Sequence, residues 1–249
     1  MIFRKKKPAM TLGRWMLIFA AAAAALLAAA GPGARFGVWD FRLGFQMIQW
    51  SFFAALAVAG LTLVFLFIKR FRYTSGGSLT AALILAVGSA SIPYMFYQKA
   101  SSLPRIHDIT TDTQNVPEFV EIAALRTEAT NPVAYPGDEV AQKQRAAYPQ
   151  IDSLRVEASA GEVFEQALIV ARQLDWSIVA QSPDTGRIEA FDTTFWFGFV
   201  DDVVIRIRQA ENETVVDVRS KSRVGVSDVG KNAARIEQFL AALAQRLDR

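Results

Sequence analysis

Residues 46–68 read QMIQWSFFAALAVAGLTLVFLFI, without a single Asp, Glu, Lys or Arg. At 1.5 Å of rise per residue, a helix of that length crosses a hydrocarbon core of about 30 Å. It is apolar on every side, so it lacks the polar face a surface helix of a soluble domain needs. The stretch therefore predicts a membrane span, and the rest of the chain is read outward from it.

Residues 15–34 and 79–98 are equally free of charged side chains and predict two more spans. The first is rich in alanine, Ala20 to Ala25 and Ala28 to Ala30, and follows Arg4, Lys5, Lys6, Lys7 and Arg14. A basic start, an apolar run and Ala28-Ala29-Ala30-Gly31 suit either a retained anchor with Trp15 at the interface or a cleaved signal peptide. Positive loops stay on the cytoplasmic side, which places the N-terminal cluster and the loop with Lys69, Arg70 and Arg72 inside. Both readings then deliver residues 103–249 to the outer side, the periplasm if the membrane is a bacterial inner (plasma) membrane.

Between the first two spans, Trp39, Phe41 and Arg42 read as an interfacial anchor. Gly60 and the run Gly88-Ser89-Ala90-Ser91 are expected to let helices approach closely, and Pro93 to kink the third. The absence of ionisable residues inside the spans argues against a transporter working alone.

Charge is split between the halves. Residues 1–102 hold 11 Lys and Arg against one acid, Asp40, and residues 103–249 hold 16 against 23. The pI of about 9.3 thus belongs to the membrane portion, and the acidic remainder excludes nucleic acid as the expected partner. With no cysteine, thiol catalysis and Cys-based metal sites are excluded. No cofactor and no metal is implied.

The expected organisation is a membrane region over 1–100, an extended Pro-rich segment over 101–153 and an α+β domain over 154–249. Steps at Pro104, Pro117, Pro132, Pro136 and Pro149 disfavour helix in the middle segment, leaving only Pro117 to Leu125 for a short one. In the last region, Leu154 to Glu157 reads as a strand, and Ser159 with Glu162 as a capping box for a helix over 160–174. Trp176 to Gln181 alternates as a strand, and Pro183-Asp184-Thr185-Gly186 is a turn. Strands follow over 187–192, 195–208 and 214–224, the long middle one either continuous or broken at Gly198. A helix from Lys231 to Leu247 closes the chain, with Ser227 and Asp228 at its entrance able to accept from free N–H groups. The order predicts an antiparallel sheet with helices packed on one face.

On the strands, Val203, Ile205 and Ile207 alternate with Asp202, Arg206 and Arg208, and Val216, Val218 and Val224 with Asp217, Arg219, Lys221 and Arg223. Matching the apolar faces sets Arg206 opposite Asp217 and Asp202 opposite Lys221. Arg208, Arg219 and Arg223 are then in excess. That face reads either as a solvated strand surface or as an anion- or partner-binding surface, helped by Ser227, Asp228 and the amides of Gly225 to Gly230. The partners such a surface suits, beside the lipid bilayer itself, are an anionic lipid, an envelope polymer or an envelope protein. The single histidine, His107, with Asp108 and Asp112, is the candidate for general acid–base chemistry. One His beside scattered carboxylates makes neither a metal spacing nor a triad, and the same residues suit hydrogen bonding to local backbone.

Three segments resemble the signature segments of the domain of unknown function 1499 family: Ile106-His107-Asp108-Ile109-Thr110-Thr111-Asp112, the stretch containing Asp201-Asp202-Val203-Val204-Ile205-Arg206, and Ser220-Lys221-Ser222-Arg223 through Asp228-Val229-Gly230-Lys231-Asn232. The likeness covers about residues 104–245, and the three spans are similar to those of its membrane-anchored bacterial branch. The resemblance implies an envelope protein and supplies no activity, ligand or catalytic residues. It nominates three polar segments, expected to meet and to place His107, Asp108, Asp112, Asp202, Arg223 and Asp228 near one another. Two classes of function stay open: a non-enzymatic binding module with an open positive face, or a hydrolase or transferase with His107 in a pocket beside a carboxylate.

Overall fold

The computed structural model describes residues 11–248, so the N-terminal cluster Arg4 to Lys7 lies outside the described residues. The chain folds as two compact units. One runs to Lys99 and takes in Trp196–Gly198; the other comprises Ala100–Phe195 and Phe199–Arg249.

The first unit is helical: α1 (Leu12–Arg35), α2 (Phe41–Phe67) and α3 (Lys69–Ser102), each long and apolar enough to cross a membrane. Asp40 caps α2 by accepting from Arg42 N–H at 2.8 Å, so the helix begins before the charge-free stretch. The helices meet through small side chains. Met16 and Ala20 pack with Val58, Leu79, Ala82 and Ala86, while Ala23 packs with Ala55 and Ala90. Ser51 Oγ, fully buried, donates to Ala23 C=O at 2.8 Å. Gly60 and Gly88, expected at the contacts, face open space; alanines and Ser51 take that role, along with Ser89 and Ala90 of the expected run.

The second unit is built on a six-stranded antiparallel sheet: β1 (Asp108–Thr110), β2 (Leu154–Val156), β3 (Ser177–Ser182), β4 (Arg187–Thr193), β5 (Val200–Ala210) and β6 (Glu213–Ser222). The order is β1-β6-β5-β4-β3, with β2 on the same edge of β6 as β1. The helices are α4 (Glu121–Leu125), α5 (Asp138–Ala147), α6 (Ala160–Gln173) and α7 (Lys231–Leu247). Ser159 caps α6 through Glu162 N–H, and Gly186 turns β3 into β4 with φ +60°, at a point where a Cβ would lie 2.0 Å from Ile207 C=O.

On one face of the sheet α6 and α7 cover Ile188, Val203, Ile205, Ile207, Val216 and Val218. Phe239 of α7 stacks on Trp176 with ring centroids 5.2 Å apart. This is the expected α+β arrangement. The expected boundary at residue 154 is absent: Ile106, Ile109, Tyr148 and Ile151 belong to the same core, and the segment before 154 supplies β1 and the ten-residue helix α5. The strand expected from residue 195 starts at Val200, because 194–199 form a loop closed by Thr194 N–H on Phe199 C=O at 2.8 Å.

Candidate functional site

Strand pairing brings the polar segments together. Asp108 of β1 and Asp202 of β5 flank Lys221 of β6 in one row, and Arg206 faces Asp217; the alternation predicts Asp202 with Lys221 and Arg206 with Asp217, while Asp108 joins the row through a strand it did not predict. All five point away from α6 and α7, onto the second face of the sheet. That face is neither solvated nor open: Asp108, Asp202, Asp217 and Lys221 are fully buried and Arg219 is 2 % exposed.

Residues 112–135 form the cover. The strap has little secondary structure, so its backbone groups need other partners. The sheet supplies them from its side chains. Arg219 donates to Pro117 C=O and Val133 C=O at 3.1 and 2.9 Å, Lys221 to Ala134 C=O at 2.8 Å, and Arg206 to Asn115 C=O at 2.7 Å. Glu189 does the converse, accepting from the N–H groups of Val120, Glu121 and Ile122 at the start of α4. A small apolar cluster of Phe119, Ile122 and Val204 completes the seal. At the edge of β1, Gln144 of α5 imitates a neighbouring strand by accepting from Thr110 N–H and donating to Thr110 C=O.

Each buried acid is held by cations of fixed geometry. Asp108 takes a two-pronged contact from Arg219, 2.9 Å on each oxygen, and Lys221 Nζ at 2.7 Å. Asp202 is gripped by Arg223 at 2.8 Å and by Arg126. Asp217 receives Arg206 and Arg208, both at 2.8 Å, and Ser153 at 2.5 Å. Burial works against its charged form, but these three donors hold Asp217 below the ordinary carboxylate range. Burial lowers the proton affinity of Lys221, with Asp108 opposing, and pushes the Tyr135 phenol up to about 12.

Of the residues expected to meet, Asp108, Asp202 and Arg223 share one face of the sheet, while Asp112, Asp228 and His107 lie in other settings. Arg219 is not a surface ligand, since its guanidinium lies between Asp108 and the rings of Phe119 and Tyr135. Arg223 side-chain exposure is 20 %, and only Arg208, at 44 %, stands well out of the network. Asp112 joins Arg206 at 3.0 Å, away from Asp108. Asp228 fills the N-terminus of α7 itself, accepting from Gly230 and Asn232 N–H at 2.8 and 2.9 Å, and Ser227 accepts from Val229 N–H. The amide nest expected to take an external anion thus already holds a carboxylate of the chain.

His107 sits at the margin between the two faces. Its C=O accepts from Ser222 N–H and from Asn232 Nδ2, while its imidazole Nδ1 is buried without a hydrogen-bond partner. Burial and the charge of Lys221 lower its proton affinity, against the pull of Asp108. Two clefts open elsewhere: one between α6 and the β3–β4 turn, the other beside Trp176, Asp192, Lys231 and Arg235. His107 lines neither. Among the described residues no group of three or more His, Asp or Glu is placed to hold a metal ion.

Several members of the network carry no sequence signal of their own. Arg126, Glu189, Gln144 and Tyr135 sit in stretches without periodicity or on strand positions that read as exposed. The one available hint was the excess of Arg and Lys over acids on two adjacent strands, which demands neutral acceptors such as carbonyls. Against known families, the description that matches is "Protein of unknown function (DUF1499)", over residues 108–243, more than half the chain. No curated protein matches it.

Proposed function

The chain belongs to the DUF1499 family, whose description names no activity, and we propose that this member is a membrane-anchored binding module without catalysis of its own. Three helices hold the α+β domain at the periplasmic surface of a bacterial inner membrane, where it engages an envelope lipid, polymer or protein. The orientation is supported by Arg14 near the start of α1 and by Lys69, Arg70 and Arg72 at the start of α3, which favour the cytoplasmic side. The single observation that carries the reading is the saturation of Asp108, Asp202 and Asp217. Each has two cations fixed on it, and a carboxylate so engaged serves as structure rather than as general base.

The test is capture by the full chain in lipid nanodiscs, presented with anionic vesicles, envelope polymers and solubilised envelope extract. Reproducible, saturable binding to one class, weakened by Arg208→Glu, is the expected result; no binding to any class overturns the reading. A second reading, a hydrolase or transferase, has one observation in its favour: the unpartnered Nδ1 of His107. Turnover of chromogenic ester or phosphoester substrates, abolished in His107→Gln with folding unchanged, would replace the first reading by the second.

A further inference from the structure

At one end of the sheet three connections lie side by side. The β4–β5 loop precedes Val200, the β6–α7 loop follows Ser222, and the chain enters β1 through His107. Arg223 N–H donates to Val200 C=O at 3.0 Å and Ser222 N–H to His107 C=O at 2.9 Å, which fixes this adjacency. The two loops also carry the most exposed large apolar side chains of the domain's described residues, Phe195 at 90 % and Val226 at 74 %.

The β4–β5 loop reads Thr194-Phe195-Trp196-Phe197-Gly198-Phe199, four aromatics and no charge. It is a closed loop. Thr194 N–H donates to Phe199 C=O, Phe199 N–H donates to Thr194 Oγ1 at 2.9 Å, and Gly198 makes the turn at φ +72°. Closure satisfies backbone groups at its base, which a segment entering a water-poor layer requires. Its tip, Trp196–Gly198, groups with the apolar helical unit and not with the sheet. Only five residues separate the end of α3 at Ser102 from the start of β1 at Asp108. Fully extended, such a link reaches about 20 Å, which bounds how far β1 can begin from the end of α3.

Within the helical unit Trp196 lies against Gly31 of α1 and Phe197 packs on Phe45 of α2, ring centroids 4.9 Å apart, which leaves Phe195 as the outward aromatic of the loop. We propose that the β4–β5 loop is a membrane-contacting element: Phe195 enters the headgroup layer of the bilayer that the chain itself spans, and exposed Arg105 reaches its phosphates. An aromatic ring at this depth removes apolar surface from water without crossing into the hydrocarbon core. The loop so placed gives the domain a second point of attachment and fixes which of its ends faces the lipid. This holds whatever the domain binds.

The chain has no cysteine, so a single one places a probe without background. The full chain carrying Phe195→Cys, labelled with an environment-sensitive fluorophore, is reconstituted in phosphatidylethanolamine–phosphatidylglycerol vesicles beside Asp184→Cys, an exposed site at the opposite end of the sheet. The expected result is quenching of the 195 label by a nitroxide lipid with a shallow spin label, and several-fold weaker quenching by aqueous iodide than at 184. Two results overturn the proposal. Equal iodide quenching at both sites puts the loop in water, and shielding from both quenchers puts it under protein, of this chain or a second copy. Phe195 is exposed, so the label leaves the core intact, and an unchanged unfolding midpoint verifies that.

Discussion

The two faces of the sheet are both sealed from water, and they are sealed by opposite chemistry. On the helix side Ile188, Val203, Ile205, Val216 and Val218 meet Ile236, Phe239 and Leu243, a contact that is nondirectional and roughly proportional to area. On the strap side Asp108, Asp202, Asp217, Arg219 and Lys221 are just as deeply buried, and each is held by hydrogen bonds of set length and direction. The first face depends on volume; the second depends on a complete set of partners. A strap with no strand of its own is kept in place because the sheet offers cations to its carbonyls and Glu189 to its amides.

That difference is most exposed by removing one charge. Asp108→Ala leaves Arg219 and Lys221 buried without their counter-ion, and the expected cost is about 3–5 kcal/mol in denaturant unfolding of the domain. Replacing all three together, Asp108→Leu with Arg219→Met and Lys221→Met, removes the unpaired charges but also the donors to Pro117, Val133 and Ala134 C=O, so it is expected to recover little of the loss. If the triple variant regains most of the stability, the ion pairs, and not the carbonyl contacts of the strap, hold this face.

The apolar face answers with a smaller number. Ile236→Val removes one methylene from a fully buried position, for an expected loss of about 0.5–1.5 kcal/mol. A loss as large as that of Asp108→Ala would erase the contrast between the faces. Smaller still is the effect expected at the border of the network. Arg208 binds the same Asp217 as Arg206 does, but at 44 % exposure, and Arg208→Ala should cost about 1 kcal/mol or less while Arg206 remains.

The helix face was legible in the sequence, and the strap face was legible only in half. Alternation gave the pairing of Arg206 with Asp217 and of Asp202 with Lys221, and apolar spacing gave α6 and α7 within one residue of their bounds. What alternation cannot tell is whether the polar side of a strand meets water or a second layer, since the period of two is the same. Arg219 was therefore read as a surface cation. The strap was illegible for a related reason: its backbone is satisfied by distant side chains, which leave no local pattern. Helix α5 was readable, with Asp138 and Glu139 in its first turn and Glu139 paired with Lys143 one turn on, but the prolines on either side outweighed it. Residues 195–199 read as strand because aromatics favour strands, with Gly198 the one sign of a break, whereas two hydrogen bonds between Thr194 and Phe199 and the turn at Gly198 close them into a loop.

His107 belongs to both faces, and its titration is the finest test of how they are joined. Its C=O is tied to Asn232 of α7, while its imidazole lies under the charges of Lys221, Asp108 and Arg126. Burial, and then Lys221, lower its proton affinity from the ordinary value of 6.5, so the unfolded chain binds the proton more tightly than the folded one. Stability contributed this way is complete above the unfolded value and is lost as pH falls through 6.5 toward the lower folded value. Unfolding midpoints taken at about pH 8 and about pH 5, either side of the ordinary imidazole range, should show that loss in the unaltered chain. In His107→Gln the step should shrink, leaving the acid-side contribution of Asp217, which sets in only at lower pH because that carboxyl is held below its usual range. An unchanged step in the variant would assign it to the carboxylates and leave the imidazole a bystander; a flattened one would identify it as the point where protonation pulls the strap face away from the helix face.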